Sequence, residues 1–198
     1  MRETRLTRDN FRIDKTTVAL LVIDMQRHFC DKNSSFFVPT SDALANKLKT
    51  LVESFRGVNR PVIFTRHIDS DDEGNLMLRW WSEKIKEDDP MSEVVDILDA
   101  RKGTTIVKHQ YDGFLNTELE AILQKEGVRQ VVVCGVLTNL CCETTARSAF
   151  MRGFEVYFVE DGTATFSKEM HAATLLNLAY GFATVTTIDD VIKALNPA

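Results

Sequence analysis

The chain has 198 residues, 44% hydrophobic and 27% charged, which suits a folded globular protein and excludes disorder as a global description. A chain this long is expected to form one domain, 1–198, burying roughly 70% of its unfolded surface. With 24 Lys and Arg against 29 Asp and Glu, the net charge of −5 argues against a nucleic-acid partner.

The elements alternate between two textures. Short continuous apolar runs lie at 17–24 (TVALLVID), 61–66 (PVIFTR), 104–108 (TTIVK), 130–136 (QVVVCGV), 155–161 (EVYFVED) and 182–188 (FATVTTI). They are β-branched and lack polar alternation, as expected of parallel strands covered on both faces. Helical patterns fall between them. Leu44, Leu48, Leu51, Val52 and Phe55 predict a helix capped by Ser41 or Asp42 and stopped at Gly57. Leu119, Ile122 and Leu123 predict another behind Asn116 or Thr117, ending at Gly127. Further helices are expected over 139–152, over 167–180 and after a cap at Asp189.

This order predicts an α/β fold: an open doubly wound, mostly parallel sheet of about six strands with helices on both faces. The charged stretch 68–102 breaks the rhythm and holds both tryptophans, so it reads as an insertion forming a lid or an oligomer contact. No apolar run approaches the roughly 18 residues of a membrane span. Residues 1–15 (MRETRLTRDNFRIDK) lack the apolar core of a secretion signal. Four cysteines do not make a disulfide framework here, since Cys141 and Cys142 are adjacent and Cys134 sits in an apolar run. Reduced thiols and a cytoplasmic location are expected.

Open parallel sheets bind ligands beyond the carboxyl ends of their strands. Asp24, Arg66, His67, Lys108 and the Gly135–Cys142 stretch all fall there. A cysteine at the start of the helix after the fourth strand should ionise readily, helped by Lys108. Asp24 would take the thiol proton, and the amides of residues 137–141 would bind an oxyanion. A structural part is equally open at this point: thiols packing apolar surface, Lys108 a strand-end charge, Asp24 a loop cap.

Three separated segments carry a resemblance. VALLVIDMQRHFC, IVKHQYDGFLNTELEAIL and VVVCGVLTNLCCETTARSAFMRGFEVYFVEDGTAT together resemble the isochorismatase-like cysteine hydrolases, over about 17–192. The pattern G-[VI]-x-T-[ND]-x-C-V-x-x-T-A-R is matched from Gly135 to Arg147, departing only at Cys142, where Val is usual. The resemblance implies a catalytic triad at Asp24, Lys108 and Cys141 and a cis peptide between Val136 and Leu137. It also aligns Gln26 and Phe29 with the family's first motif.

The expected activity is hydrolysis of a small carboxamide or related C–N bond through a thioester on Cys141. Alternatives are an isochorismate-type vinyl-ether hydrolase releasing pyruvate and a non-catalytic binding protein on the same scaffold. Gln26, Phe29, Arg66, His67, Arg79 and Trp80 are the candidates for the substrate pocket. No cofactor is expected. The resemblance includes a nicotinamidase branch with an Asp/His metal site, but its spacing is not found near His67, so no metal is expected. The partners expected are a small-molecule substrate and further copies of the chain in a dimer or tetramer.

Overall fold

The computed structural model describes residues 12–72 and 74–196, so most of the opening charged stretch lies outside the described residues. The run VALLVI forms β1 (Val18–Ile23), and every residue in it is buried. After a short helix α1 (Arg27–Cys30), helix α2 (Ser41–Gly57) leads into β2 (Val62–His67). The inserted stretch follows with α3 (Leu76–Trp81) and three single 3₁₀ turns at Pro90–Ser92, Asp96–Leu98 and Ala100–Lys102. Then come β3 (Thr104–Lys108), α4 (Leu119–Lys125) and β4 (Gln130–Val136). A π-helical turn, Thr138–Cys142, precedes α5 (Glu143–Met151). β5 (Glu155–Ala164), α6 (Lys168–Gly181), β6 (Thr184–Thr186) and α7 (Ile188–Leu195) complete the chain.

The six strands form one parallel sheet in the order β3-β2-β1-β4-β5-β6. The chain begins in the middle, winds outward through β2 to β3, then returns to β4 and winds the other way. The direction reverses between β1 and β4, the point where such sheets leave a crevice at the strand ends. Alternation along β1 divides the core. Val18, Leu20 and Val22 face one layer with α2 and α7, while Ala19, Leu21 and Ile23 face the other with α4 and α5. β4 approaches β1 so closely that Gly135, at φ +115°, has no room for a Cβ, which would strike the Ile23 backbone. No helix among the described residues is long and apolar enough to cross a membrane.

Several local expectations are corrected. The run order predicts the carboxyl ends of 17–24, 104–108 and 130–136 side by side; the ends of β1 and β4 are neighbours, but β2 separates β3 from β1, because each new strand is added outward. β5 runs on to Ala164, so Asp161 lies inside it, and its Oδ1 accepts from the Ile188 amide at 2.9 Å. The final helix is capped by Thr187, not Asp189, and its first residue is Ile188, so β6 is a short strand. Glu118 stands at the N-cap of α4, with the Thr117 hydroxyl accepting from the Leu119 amide at 3.3 Å.

Candidate active site

The crevice is built from the ends of three strands and the π turn. Asp24 follows β1 directly with φ 48°, a left-handed conformation that Asp tolerates better than most residues. Thr65 of β2 fixes it twice: its hydroxyl donates to Asp24 Oδ1 at 2.6 Å and accepts from the Asp24 amide at 3.1 Å. Lys108 ends β3, is fully buried, and reaches across the end of β2. Its Nζ lies 2.7 Å from Asp24 Oδ2, an ion pair not aligned as a hydrogen bond. The same Nζ donates to Gln110 O at 2.9 Å and to Cys141 Sγ at 3.4 Å.

The cysteine is placed by irregular backbone. The peptide between Val136 and Leu137 is cis, and the π turn begins immediately after it. The Cys142 amide bonds to Leu137 O at 3.2 Å, five residues back, which marks the wider turn. Cys141 therefore sits in this turn, ahead of α5, rather than at an α-helix start. Cys142, its neighbour, is wholly buried in the layer beneath α5.

Burial works against the expected acidity of the thiol. Burial pushes the Cys141 thiol up, the Lys108 charge pulls it down and the Asp24 carboxylate pushes it up again, which together place it at about 12. Burial would lower Lys108, but attraction to Asp24 and to the Cys141 sulfur outweighs it and holds the ammonium to about 12. At neutral pH the resting cluster is thus a protonated thiol beside an ammonium. Burial pushes Cys142 up as well.

These shifts have a consequence for stability. The ordinary values are 10.5 for Lys108 and 9.0 for Cys141, so both groups hold their protons more tightly folded than unfolded. The stability they contribute is complete below pH 9.0 and is lost as pH rises towards about 12. Urea midpoints should fall across that alkaline window, and the fall should be shallower in Cys141→Ala.

Cys141 opens onto a cavity of about 190 Å³ whose walls are mostly apolar and aromatic. Of the six pocket candidates, Phe29 and His67 line it. Gln26 instead braces the backbone, donating to His67 O at 3.0 Å and Ser92 O at 2.8 Å and accepting from the His67 amide at 2.8 Å. Arg66 turns to Ser92 Oγ and to Glu93, 2.7 and 2.9 Å away. Arg79 is exposed. Trp80 is 78% exposed, whereas Trp81, 44% exposed, lines the cavity. Adjacent residues on α3 point about 100° apart, so one indole faces in and the other out.

Sequence reasoning missed Tyr111, Phe36, Phe166 and Asp69 on the cavity wall and Thr65 behind it. Asp69 was visible only as a neighbour of His67. Its Oδ1 lies 3.1 Å from His67 Nε2 and its Oδ2 accepts from the Ile85 amide at 2.8 Å. Burial opposes the Asp69 charge, but those bonds hold it below the usual carboxylate value. Among the described residues no group of three or more His, Cys, Asp or Glu is placed to hold a metal.

The isochorismatase domain model matches residues 18–190. The chain belongs to the isochorismatase-like hydrolase family. It is 40% identical to nicotinamidase 3 of Arabidopsis thaliana, over 98% of this chain and 94% of that protein. A cysteine hydrolase from Pseudomonas syringae superposes with a TM-score of 0.90 at 28% identity, covering 98% of each chain. N-carbamoylsarcosine amidase from Thermoplasma acidophilum superposes with a TM-score of 0.77 at 28% identity, covering 87% of this chain and 97% of that one. The protein is therefore a hydrolase of this family, with the six-stranded parallel sheet its members share.

Proposed function

We propose that the protein is a cysteine amidohydrolase for a small, flat carboxamide without a carboxylate group, with Cys141, Asp24 and Lys108 as its triad. The carrying observation is the position of Lys108 Nζ, 2.7 Å from Asp24 Oδ2 and 3.4 Å from Cys141 Sγ, at the foot of an aromatic cavity. As the amide carbonyl arrives, the thiol gives its proton to Asp24 and sulfur attacks the carbonyl carbon. Lys108 stabilises the sulfur as it gains charge. The amides of the loop from Leu137 to Cys141, next to the Val136–Leu137 peptide, hold the oxyanion. Asp24 returns the proton to nitrogen, ammonia or an amine leaves, and a thioester remains. Water, deprotonated by Asp24, then releases the carboxylic acid and restores the thiol.

A buried thiol held protonated needs an adjacent base, and Asp24 is that base. The names of two relatives, nicotinamidase and N-carbamoylsarcosine amidase, fit this chemistry. The vinyl-ether alternative fits less well. Isochorismate carries two carboxylates, yet among the described residues the cavity wall holds no Lys or Arg, and its ionisable side chains include Asp69 and Glu83. A panel of small amides, ureas and isochorismate, read for ammonia and for pyruvate separately, tests the reading. Ammonia is expected. Pyruvate without ammonia would favour the alternative, and silence would favour a binding protein.

Thr65 is expected to matter for rate because it fixes the base. Thr65→Val should lower kcat/KM about tenfold, the scale of one buried hydrogen bond to a charged group. Thr65→Ser should restore most of it, and steady-state kinetics of the two variants checks this. We further propose a single domain working in the cytoplasm as a homo-oligomer. The four free, buried cysteines support a reducing compartment, and the exposed Leu76, Trp80, Met170 and Leu176 support contacts between copies.

A further inference from the structure

The π turn that carries Cys141 is fastened from outside itself. Within it, the Leu140 and Cys142 amides both end on the Leu137 carbonyl, at 3.1 and 3.2 Å. The side chains at its start reach to later parts of the chain. Asn139 Oδ1 accepts from the Thr165 hydroxyl at 2.5 Å, just after β5. The Thr138 hydroxyl, wholly buried, lies 3.1 Å from Nδ1 of His171 on α6. The pair bonds in either neutral tautomer, because the hydroxyl donates to a bare Nδ1 or accepts from Nδ1–H.

Helix α6 is held independently of this contact. Ser167 caps it, its hydroxyl accepting from the Met170 amide at 3.2 Å. Thr174 stands three residues after His171 on the same face, and its hydroxyl donates to Glu143 Oε2 at 2.7 Å. Successive turns of α6 thus grip the π turn and the first residue of α5 separately. Leu137, Leu140 and Cys141 line the cavity, whereas Thr138 and His171 stand behind its wall. His171 therefore acts on the cavity through Thr138. Amides that meet an oxyanion owe their effect to being fixed before the charge develops. A contact that sets their position acts on the transition state more than on the bound amide.

We propose that His171 is a positioning residue: by holding the Thr138 hydroxyl, it fixes the loop from Leu137 to Cys141 against the developing oxyanion. This rests on the amidase reading above and adds a residue to its machinery.

With pyridine-3-carboxamide as the probe, His171→Leu should lower kcat about tenfold, the scale of one hydrogen bond. The affinity for the same amide, measured by calorimetry in a Cys141→Ala background, should stay within about twofold. His171→Asn places an amide near the site of Nδ1 and should recover most of the rate. Thr138→Val removes the same contact from the other side. It should match His171→Leu, and the double variant should lose no more than either. Thr174→Val loosens α6 from α5 and should lower the melting temperature, yet keep kcat within about twofold.

Pyridine-3-carbaldehyde reads the loop without turnover. Cys141 sulfur bonds its carbonyl carbon, the C=O pair moves onto oxygen, and the thiol proton passes to Asp24. Capture of this aldehyde should weaken in His171→Leu by about the factor lost from kcat. Unchanged kcat in both His171→Leu and Thr138→Val, a loss that falls on amide affinity, no recovery with His171→Asn, an equal loss in Thr174→Val, or unchanged aldehyde capture would each overturn the proposal. Weakened aldehyde capture, with no ammonia released by the wild-type protein, would overturn the amidase reading and leave the His171 contact standing.

Discussion

Cys141→Ala should remove amide hydrolysis by about 10⁴-fold or more, because no other group can form the thioester. The change should leave the fold in place. Cys141 lies in a buried turn, and losing a sulfur atom there should cost no more than about 1–2 kcal/mol. Cys142→Ala is the comparison that gives the result its meaning. Cys142 is just as buried but neither meets Lys108 nor lines the cavity, so its loss should leave most activity intact. The two variants should melt alike and differ by orders of magnitude in ammonia release. Asp24→Asn should fall nearly as far as Cys141→Ala, and the double variant should be little worse than either single one, since the residues act on one proton and one sulfur.

Lys108→Met should cost stability as well as activity. The pair it forms with Asp24 is almost wholly buried, at 0% and 1% side-chain exposure. Removing the ammonium leaves a carboxylate with no countercharge in the interior, and breaking such a pair costs about 3–5 kcal/mol. Asp24→Asn added to Lys108→Met should recover part of that loss, because the uncompensated charge is gone. Chemical denaturation of the two single variants and the double one gives the coupling directly. Activity should not recover in the double variant. Stability and catalysis would then separate: the ion pair holds the crevice together, while a carboxylate at position 24 that can take and return a proton is needed for the reaction.

Much of this architecture was legible in the chain because its strands are covered on both faces. β1 reads as an unbroken apolar run, and such a run has few other places to go than the middle of a parallel sheet. Strand ends then led to Asp24, Lys108 and the stretch that holds Cys141 and Cys142, and the motif resemblance singled out Cys141. The inserted stretch was not legible, because tertiary contacts hold it rather than any periodicity. The Val95 amide bonds to Met25 O at 2.9 Å, and Asp69 and Ile85 clasp each other through backbone and carboxylate. Nothing in RWW tells which indole faces the cavity. Thr65 looks like any β-branched strand residue, and Tyr111 stands in a loop without pattern. The thiol's acidity was misread for a related reason: a helix start and a lysine are visible in a sequence, but the depth of burial that opposes them is not.

The central claim is a covalent bond between Cys141 and the acyl part of a carboxamide. Intact-mass spectrometry of protein quenched in acid during turnover of pyridine-3-carboxamide, followed by peptide mapping, measures it directly. The account predicts an added acyl mass that maps to Cys141, is absent from Cys141→Ala and disappears as ammonia release completes. Ammonia release at the wild-type rate from Cys141→Ala, or an acyl group mapped to Cys142 or Cys134, would contradict it.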